Sequence, residues 1–264
     1  MRITINKLQQ MKNEGVLIPM ISAYDYTSAS MVEDAGIPII LVGDSLGNVV
    51  LGYDSTVPVT MEDMLRHTQM VVRGTQKAHI VGDMPFMSYQ TSIRDAIQNA
   101  GRFIKEGGCQ SVKLEGGEPV VEIVEKLVQF GIPVMGHLGL TPQSVNQLGG
   151  YKVQGKSEDA GEKLLNDAVM LQNAGAYAIV LELIPANLAE RITNILDIPT
   201  IGIGAGPKCD GQVQIFHDML GMFPDFSPKH ARKYVDMGTQ IKEAVQTYIK
   251  DVQKGLFPSH EESF

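Results

Sequence analysis

A chain of 264 residues that is 44% hydrophobic, with 27 glycines and 13 prolines, has the length and apolar content of one α/β barrel of about 250 residues. Its 22 Lys and Arg against 30 Asp and Glu give a net charge of -8 and a pI near 5.3 with no dense basic cluster, which argues against nucleic acid and anionic membranes as partners. The polar amino end, MRITINKLQQMKNEG, and the lack of any apolar run near the ~20 residues of a membrane span predict neither a secretion signal nor an anchor, and a soluble cytoplasmic protein. Cys109 and Cys209, without a CxxC pair or a His at ligand spacing, read as reduced structural thiols.

In chain order, Ile5 to Asn13 reads as a short amphipathic helix that caps one end of the fold and stops at Gly15. Leu17 to Ala23 is the first buried run, followed by a helix capped by Thr27 or Ser28 and closed by Gly36. Ile39 to Gly43 is the second, followed by a long loop, Asp44 to Pro58, and a helix from Met61 to Gln76 capped by Thr60. Loops of this length inside a compact domain are usually functional. The third strand, Ile80 to Gly82, exits at Asp83, and the fourth, Val112 to Leu114, at Glu115 with Pro119 opening the next helix. Strand five, Pro133 to Gly136, leads into the longest irregular stretch, His137 to Ser157; strand six closes on Glu182 and strand seven, Ile198 to Ile203, on Gly204-Ala205-Gly206. Strand eight is expected from the alternation of Val213, Ile215 and His217, and Pro228 to Gln253 reads as one helical stretch before a polar tail. Eight strand-helix units without a linker predict a single (β/α)8 TIM barrel spanning 1–264, with a doubly wound open sheet as the runner-up.

In either fold the chemistry sits where the strands end. A period of two turns Val42 and Asp44, Val81 and Asp83, Lys113 and Glu115, Met135 and His137, and Val180 and Glu182 to one inward face. Carboxylates a few ångström apart cannot all stay charged, so one is expected at a raised pKa unless a cation compensates. Hard oxygen ligands without Cys or paired His select Mg2+, with Asp44 and Asp83 the natural ligands and Glu115 a third, directly or through water. Lys113 reads as an ion-pair partner or as a clamp on a substrate carboxylate. His137 is a structural histidine or a substrate contact, and Ser45 a loop cap or a donor to a substrate carboxylate. GIGAG at 202–206 is weak ground for a phosphate cradle, because a tight turn needs the same glycines.

The motifs VGDSLGNVVLGYDSTVPVT (42–60), DMPFMSY (83–89), KLEGG (113–117), GHLGLTPQSVNQLGGYKVQGK (136–156), LELIPA (181–186) and GIGAGPKCDGQV (202–213) together resemble the ketopantoate hydroxymethyltransferase family, in order, from about Leu17 to Phe226. Gln214 is a small departure that touches no site residue. The resemblance implies a (β/α)8 barrel of the phosphoenolpyruvate and pyruvate superfamily, one Mg2+ per subunit and assembly as a homo-oligomer, typically a decamer. It also implies transfer of a hydroxymethyl group from 5,10-methylenetetrahydrofolate to 3-methyl-2-oxobutanoate, giving 2-dehydropantoate on the route to pantothenate and coenzyme A. Asp44, Asp83 and Glu115 then match the metal site, Asp44, Ser45, Asp83 and Lys113 the keto-acid contacts, and Glu182 the proton acceptor, with His137 a further substrate contact. The rivals are a lyase or phosphonomutase of the same superfamily and a non-catalytic barrel that binds a 2-oxo acid. A cysteine at a strand end would favour the first, and none is there; the presence of a base, Glu182, argues against the second.

Overall fold

The computed structural model describes residues 1–223 and 228–264; Phe226, where the resemblance ends, lies outside them. Two compact units are present, Met1–Gln214 and Ile215–Phe264. The first opens with helix α1 (Ile5–Asn13) and then alternates β1 (Ile18–Ser22), α2 (Tyr26–Asp34), β2 (Ile39–Val42), α3 (Leu46–Val49), α4 (Met61–Arg73), β3 (His79–Asp83), α5 (Ile93–Arg102), β4 (Ser111–Glu115), α6 (Val121–Gln129), β5 (Val134–Gly139), α7 (Val145–Leu148), α8 (Glu158–Asn173), β6 (Ala178–Glu182), α9 (Ala186–Ile195) and β7 (Thr200–Ile203). Strand β8 (Gly211–Ile215) closes a barrel in sequence order, β1 through β8, with parallel pairing between successive strands.

Helix starts are written in the sequence as oxygen-bearing caps, which accept the backbone N–H groups that a first turn leaves unpaired. Thr60 and Asp63 form a reciprocal capping box on α4, Ser92 caps α5, and Ser157 caps α8. Helix α2 is capped by Asp25, which accepts from the Ser28 N–H at 2.9 Å, and so starts ahead of the expected Thr27 or Ser28.

The barrel interior is apolar at its lower levels: Ile18, Met20, Ile39, Leu41, Val81, Met135, Ala178, Val180, Ile201 and Val213 form one buried cluster. Leu8 of α1 joins it, with Ile3, Ile5 and Met11 packed alongside, so α1 is the expected cap. It covers the end where the strands begin, because the Ile3 carbonyl meets the side chain of His79, the first residue of β3. The inward phase agrees with the period-two reading on β3, β5 and β6. On β2 it is one residue out: Ile39 and Leu41, not Val42, enter the interior cluster. Asp44 lies beyond the end of β2, where the backbone turns into α3 and strand periodicity no longer applies.

The loop after β2 is therefore not wholly irregular, and neither is the stretch from His137 to Ser157. Strand β5 continues to Gly139, a short turn of 3-10 helix follows at Pro142–Ser144, and α7 comes next. In the second unit, β8 gives way after Ile215 to α10 (Phe216–Met219), which takes His217 out of the expected alternation. Helix α11 covers only Met237–Gln253, not the whole of Pro228 to Gln253. The N–H groups of Tyr234, Met237 and Gly238 are spent on the carbonyls of Met219, Leu220 and Gly221, so they cannot start the helix earlier. Among the described residues no helix is long and apolar enough to cross a membrane.

Candidate active site

Strand register brings the predicted residues together at the carboxyl-terminal mouth. Asp83 pairs across with Lys113, Glu115 with His137, and Gly139 with Glu182. Asp44 is tied in by its own N–H, which donates to Asp83 Oδ2 at 3.1 Å. Asp44, Asp83, Lys113, Glu115 and His137 are all buried, whereas the Glu182 side chain keeps 15% of its surface exposed.

Lys113 Nζ stands 2.8 Å from Asp83 Oδ1 and 3.2 Å from His137 Nδ1. An ammonium has no lone pair, so Nδ1 accepts and the imidazole proton is on Nε2. That nitrogen faces Glu182, 3.2 Å from Oε2, though not aligned as a hydrogen bond. Burial holds the His137 pKa well below its ordinary value, with the Lys113 charge acting the same way, so the ring is neutral.

The carboxyls carry the expected strain. Burial pushes Asp83 up to about 7, against the pull of Lys113 and with a further push from Asp44. Burial likewise holds Glu115 well above the carboxylate range, and the Asp44 charge adds to it. Burial alone would lower the Lys113 pKa, but Asp83, Glu115 and Asp44 outweigh it and raise it. Glu115 Oε1 accepts no hydrogen bond. Among the described residues no three His, Cys, Asp or Glu side chains are gathered closely enough to make a complete metal cage by themselves.

Ser45 sits at the rim with its hydroxyl 2.8 Å from that of Tyr24, which is 2.7 Å from Ser22 Oγ. The residue after Glu182, Leu183, has φ 44, a left-handed backbone uncommon outside glycine. Its N–H donates to the Ile203 carbonyl at 2.9 Å and its carbonyl accepts from the Gln154 N–H at 2.9 Å. Four groups at the mouth carry no sequence expectation: Tyr24, Tyr89, Gln143 and Tyr151. The available signal was the long His137 to Ser157 stretch, which carries Gln143 over the mouth. From the same stretch comes Tyr151, whose phenol pKa is raised by burial and then by Asp44, Glu182 and Glu115. A recess of about 400 Å³ around Asp159 and Asp167 is lined by none of these groups.

A closed parallel barrel with acids, an ammonium and an imidazole at its carboxyl-terminal mouth defines a (β/α)8 enzyme barrel. Its fold is that of 2,3-dimethylmalate lyase, a PEP mutase/isocitrate lyase superfamily member, to which it is similar with TM-score 0.60 at 15% identity, covering 100% of this chain and 92% of that one. The chain belongs to the ketopantoate hydroxymethyltransferase family, whose model matches residues 2–260. It is 59% identical over 263 residues to the 3-methyl-2-oxobutanoate hydroxymethyltransferase of Carboxydothermus hydrogenoformans, covering 100% of this chain and 95% of that protein. It is 61% identical over 264 residues to the enzyme of the same name from Dehalococcoides mccartyi, covering 100% of this chain and 94% of that protein.

Proposed function

We propose that this chain transfers a hydroxymethyl group from 5,10-methylenetetrahydrofolate to 3-methyl-2-oxobutanoate, giving 2-dehydropantoate for pantothenate synthesis. The observation that carries the reading is the gathering of Asp44, Asp83, Lys113, Glu115, His137 and Glu182 at one mouth in a chain of this family. Lys113 and Ser45 neutralise and orient the keto-acid carboxylate. Glu182, the most exposed of the ion-paired mouth carboxylates, takes the C3 proton, and a positioned base is worth roughly 10²- to 10⁴-fold. The electron pair left on C3 delocalises as the enolate and forms the new bond to the folate's methylene carbon. Both C–N bonds of the methylene carbon break: water leaves its oxygen on that carbon and its two hydrogens on the nitrogens of the departing tetrahydrofolate, and the C3 proton taken by Glu182 completes the hydroxyl. His137, neutral and with its proton on Nε2, donates toward oxygen without adding charge.

The donors at the mouth fit a hard divalent cation such as Mg2+. They are oxygens without thiolate, there are more carboxylates than cations, and Glu115 Oε1 is buried with no hydrogen bond of its own. Asp44 and Asp83 would hold the ion, with Glu115 as a third ligand directly or through water. When bound, the ion supplies Lewis acidity to the 2-oxo acid. One ion per subunit, a homo-oligomer of decamer type and a cytoplasmic location belong to the same proposal on the family pattern.

Proton NMR in D2O tests it through deuterium exchange at C3 of 3-methyl-2-oxobutanoate, with Mg2+ present or chelated. Rapid, metal-dependent exchange is expected from the wild type. Glu182→Gln abolishes it while keto-acid binding stays nearly intact; full exchange in that variant removes Glu182 from the role.

A further inference from the structure

Gln143 bridges several groups of the mouth, and the chemistry above gives it no part. It is 4% exposed and sits in the Pro142–Ser144 turn that follows β5. Its side-chain Nε2 donates to Asp44 Oδ2 at 2.9 Å and to the Met84 carbonyl at 2.9 Å, just past the end of β3. Its main-chain N–H donates to Glu115 Oε2 at 3.1 Å. Its Oε1 accepts from Gln90 Nε2 at 3.3 Å and shares the single Tyr89 phenol proton with the Glu115 carbonyl, each acceptor 3.0 Å from Oη. Tyr89 is fully buried and also meets Glu115, whose main-chain N–H donates to the phenol oxygen at 3.1 Å. One residue thus joins the exits of β2, β3 and β4, its side chain reaching Asp44 and Met84 and its main chain Glu115.

The residue type follows from the partners. Two acceptors on one side and two donors on the other need a group with both N–H and C=O within a single planar unit, which only Asn and Gln supply as side chains. A carboxylate there would face Asp44 with like charge, and an apolar side chain would leave the Met84 carbonyl and an Asp44 oxygen unpaired in a buried site. The contacts are also divided. On Glu115, Oε2 is anchored by the Gln143 N–H, while Oε1 accepts no hydrogen bond.

We infer that Gln143 is a positioning residue that fixes the Asp44 and Glu115 carboxylates relative to one another, holding one oxygen of each so that the pair meets a divalent cation already in place. The inference rests on the cation reading of the mouth. It makes no contact with substrate itself; it acts through the two acids. Outer partners of this kind typically contribute about 10- to 100-fold to metal affinity. Tyr89 acts one step further out, through the Gln143 amide oxygen and the Glu115 backbone.

The test uses the full chain and Mn2+ alone as the probe, followed by EPR titration, for wild type, Gln143→Leu and Tyr89→Phe, with folding checked by circular dichroism. Gln143→Leu is expected to weaken Mn2+ binding by about 10- to 100-fold, and Tyr89→Phe by a smaller factor in the same direction. The C3 exchange rate of Gln143→Leu recovers as Mg2+ is raised, which a merely structural role would not produce. A folded Gln143→Leu that binds Mn2+ within about twofold of wild type overturns the inference. Should that variant fail to fold, Tyr89→Phe decides: unchanged Mn2+ affinity overturns it. Wild type that binds no Mn2+ sinks the cation reading itself and the inference with it, an outcome visible in the wild-type titration alone.

Discussion

His79 has no part in the proposed reaction, yet it is the residue through which acid should reach the fold. It starts β3 inside the barrel, fully buried, with Nδ1 3.0 Å from the Ile3 carbonyl and Nε2 2.8 Å from Ser111 Oγ. Tyr177 Oη lies 2.9 Å from the same Ser111 oxygen, so a consistent chain runs from phenol to hydroxyl to Nε2, with the ring proton on Nδ1. Burial lowers the His79 pKa to about 4. The native ring stays neutral down to that value, while the unfolded ring binds a proton below about 6.5. The unfolded state then holds more protons between those limits, so stability is whole above the upper one and drains as pH falls toward the lower, by up to about 3 kcal/mol. Urea denaturation at a series of pH values checks this: His79→Gln should flatten the slope in that window, and identical slopes would assign the acid sensitivity elsewhere. The two cysteines behave in the opposite way, as inert groups. Burial pushes the Cys109 thiol up to about 12, and Cys209 is buried as well with a raised pKa, so neither should react with a thiol reagent until the chain is unfolded.

At the scale of elements, the strand ends carry the information that sequence periodicity reads well. A buried strand must alternate, and on β3, β4, β5 and β6 the alternation runs straight into Asp83, Glu115, His137 and Glu182. It misreads β2 because Asp44 is placed by a turn, and a turn has no period to extrapolate. Gln143 was illegible for another reason: Asp44, the carboxylate its side chain meets, is 99 residues away, and only the fold makes them neighbours. Gly139 is an element-scale constraint of the same spatial kind. It ends β5 with φ 96, and a Cβ there would stand 2.1 Å from the Glu182 carbonyl oxygen, which accepts from the Leu140 N–H at 2.8 Å. Close approach of the two backbones at this point holds the end of β6, and therefore Glu182, against β5. Gly139→Ala is expected to cost roughly 3 kcal/mol or more from strain and displaced backbone, and to lower C3 exchange in the protein that still folds. Urea unfolding with the exchange assay measures both, and wild-type stability in the variant would contradict the contact.

Across the barrel as a whole, the two ends have different tasks. The carboxyl-terminal mouth holds charge that the fold must offset, with Asp83 and Glu115 raised and Lys113 paired, so it is the end where stability is given up for chemistry. The other end is sealed by α1, and Lys12 fastens that helix by reaching the Ile198 carbonyl and Asp210 Oδ2, each at 2.9 Å. Leu8 is the buried residue of α1, 1% exposed, and it packs into the interior cluster with Ile18, Met20 and Val213. Truncating it leaves a cavity under the apolar stack and should cost about 2–4 kcal/mol. Leu8 packs at the sealed end, whereas the mouth groups sit at the opposite ends of the strands, so the Leu8→Ala protein that remains folded should exchange the C3 proton at the wild-type rate with wild-type dependence on Mg2+. Lowered urea midpoint with unchanged exchange is the expected pair of results. A fall in exchange per folded molecule would mean instead that packing at the sealed end sets the geometry of the open one, and that the strands transmit strain along the barrel rather than isolating its two ends.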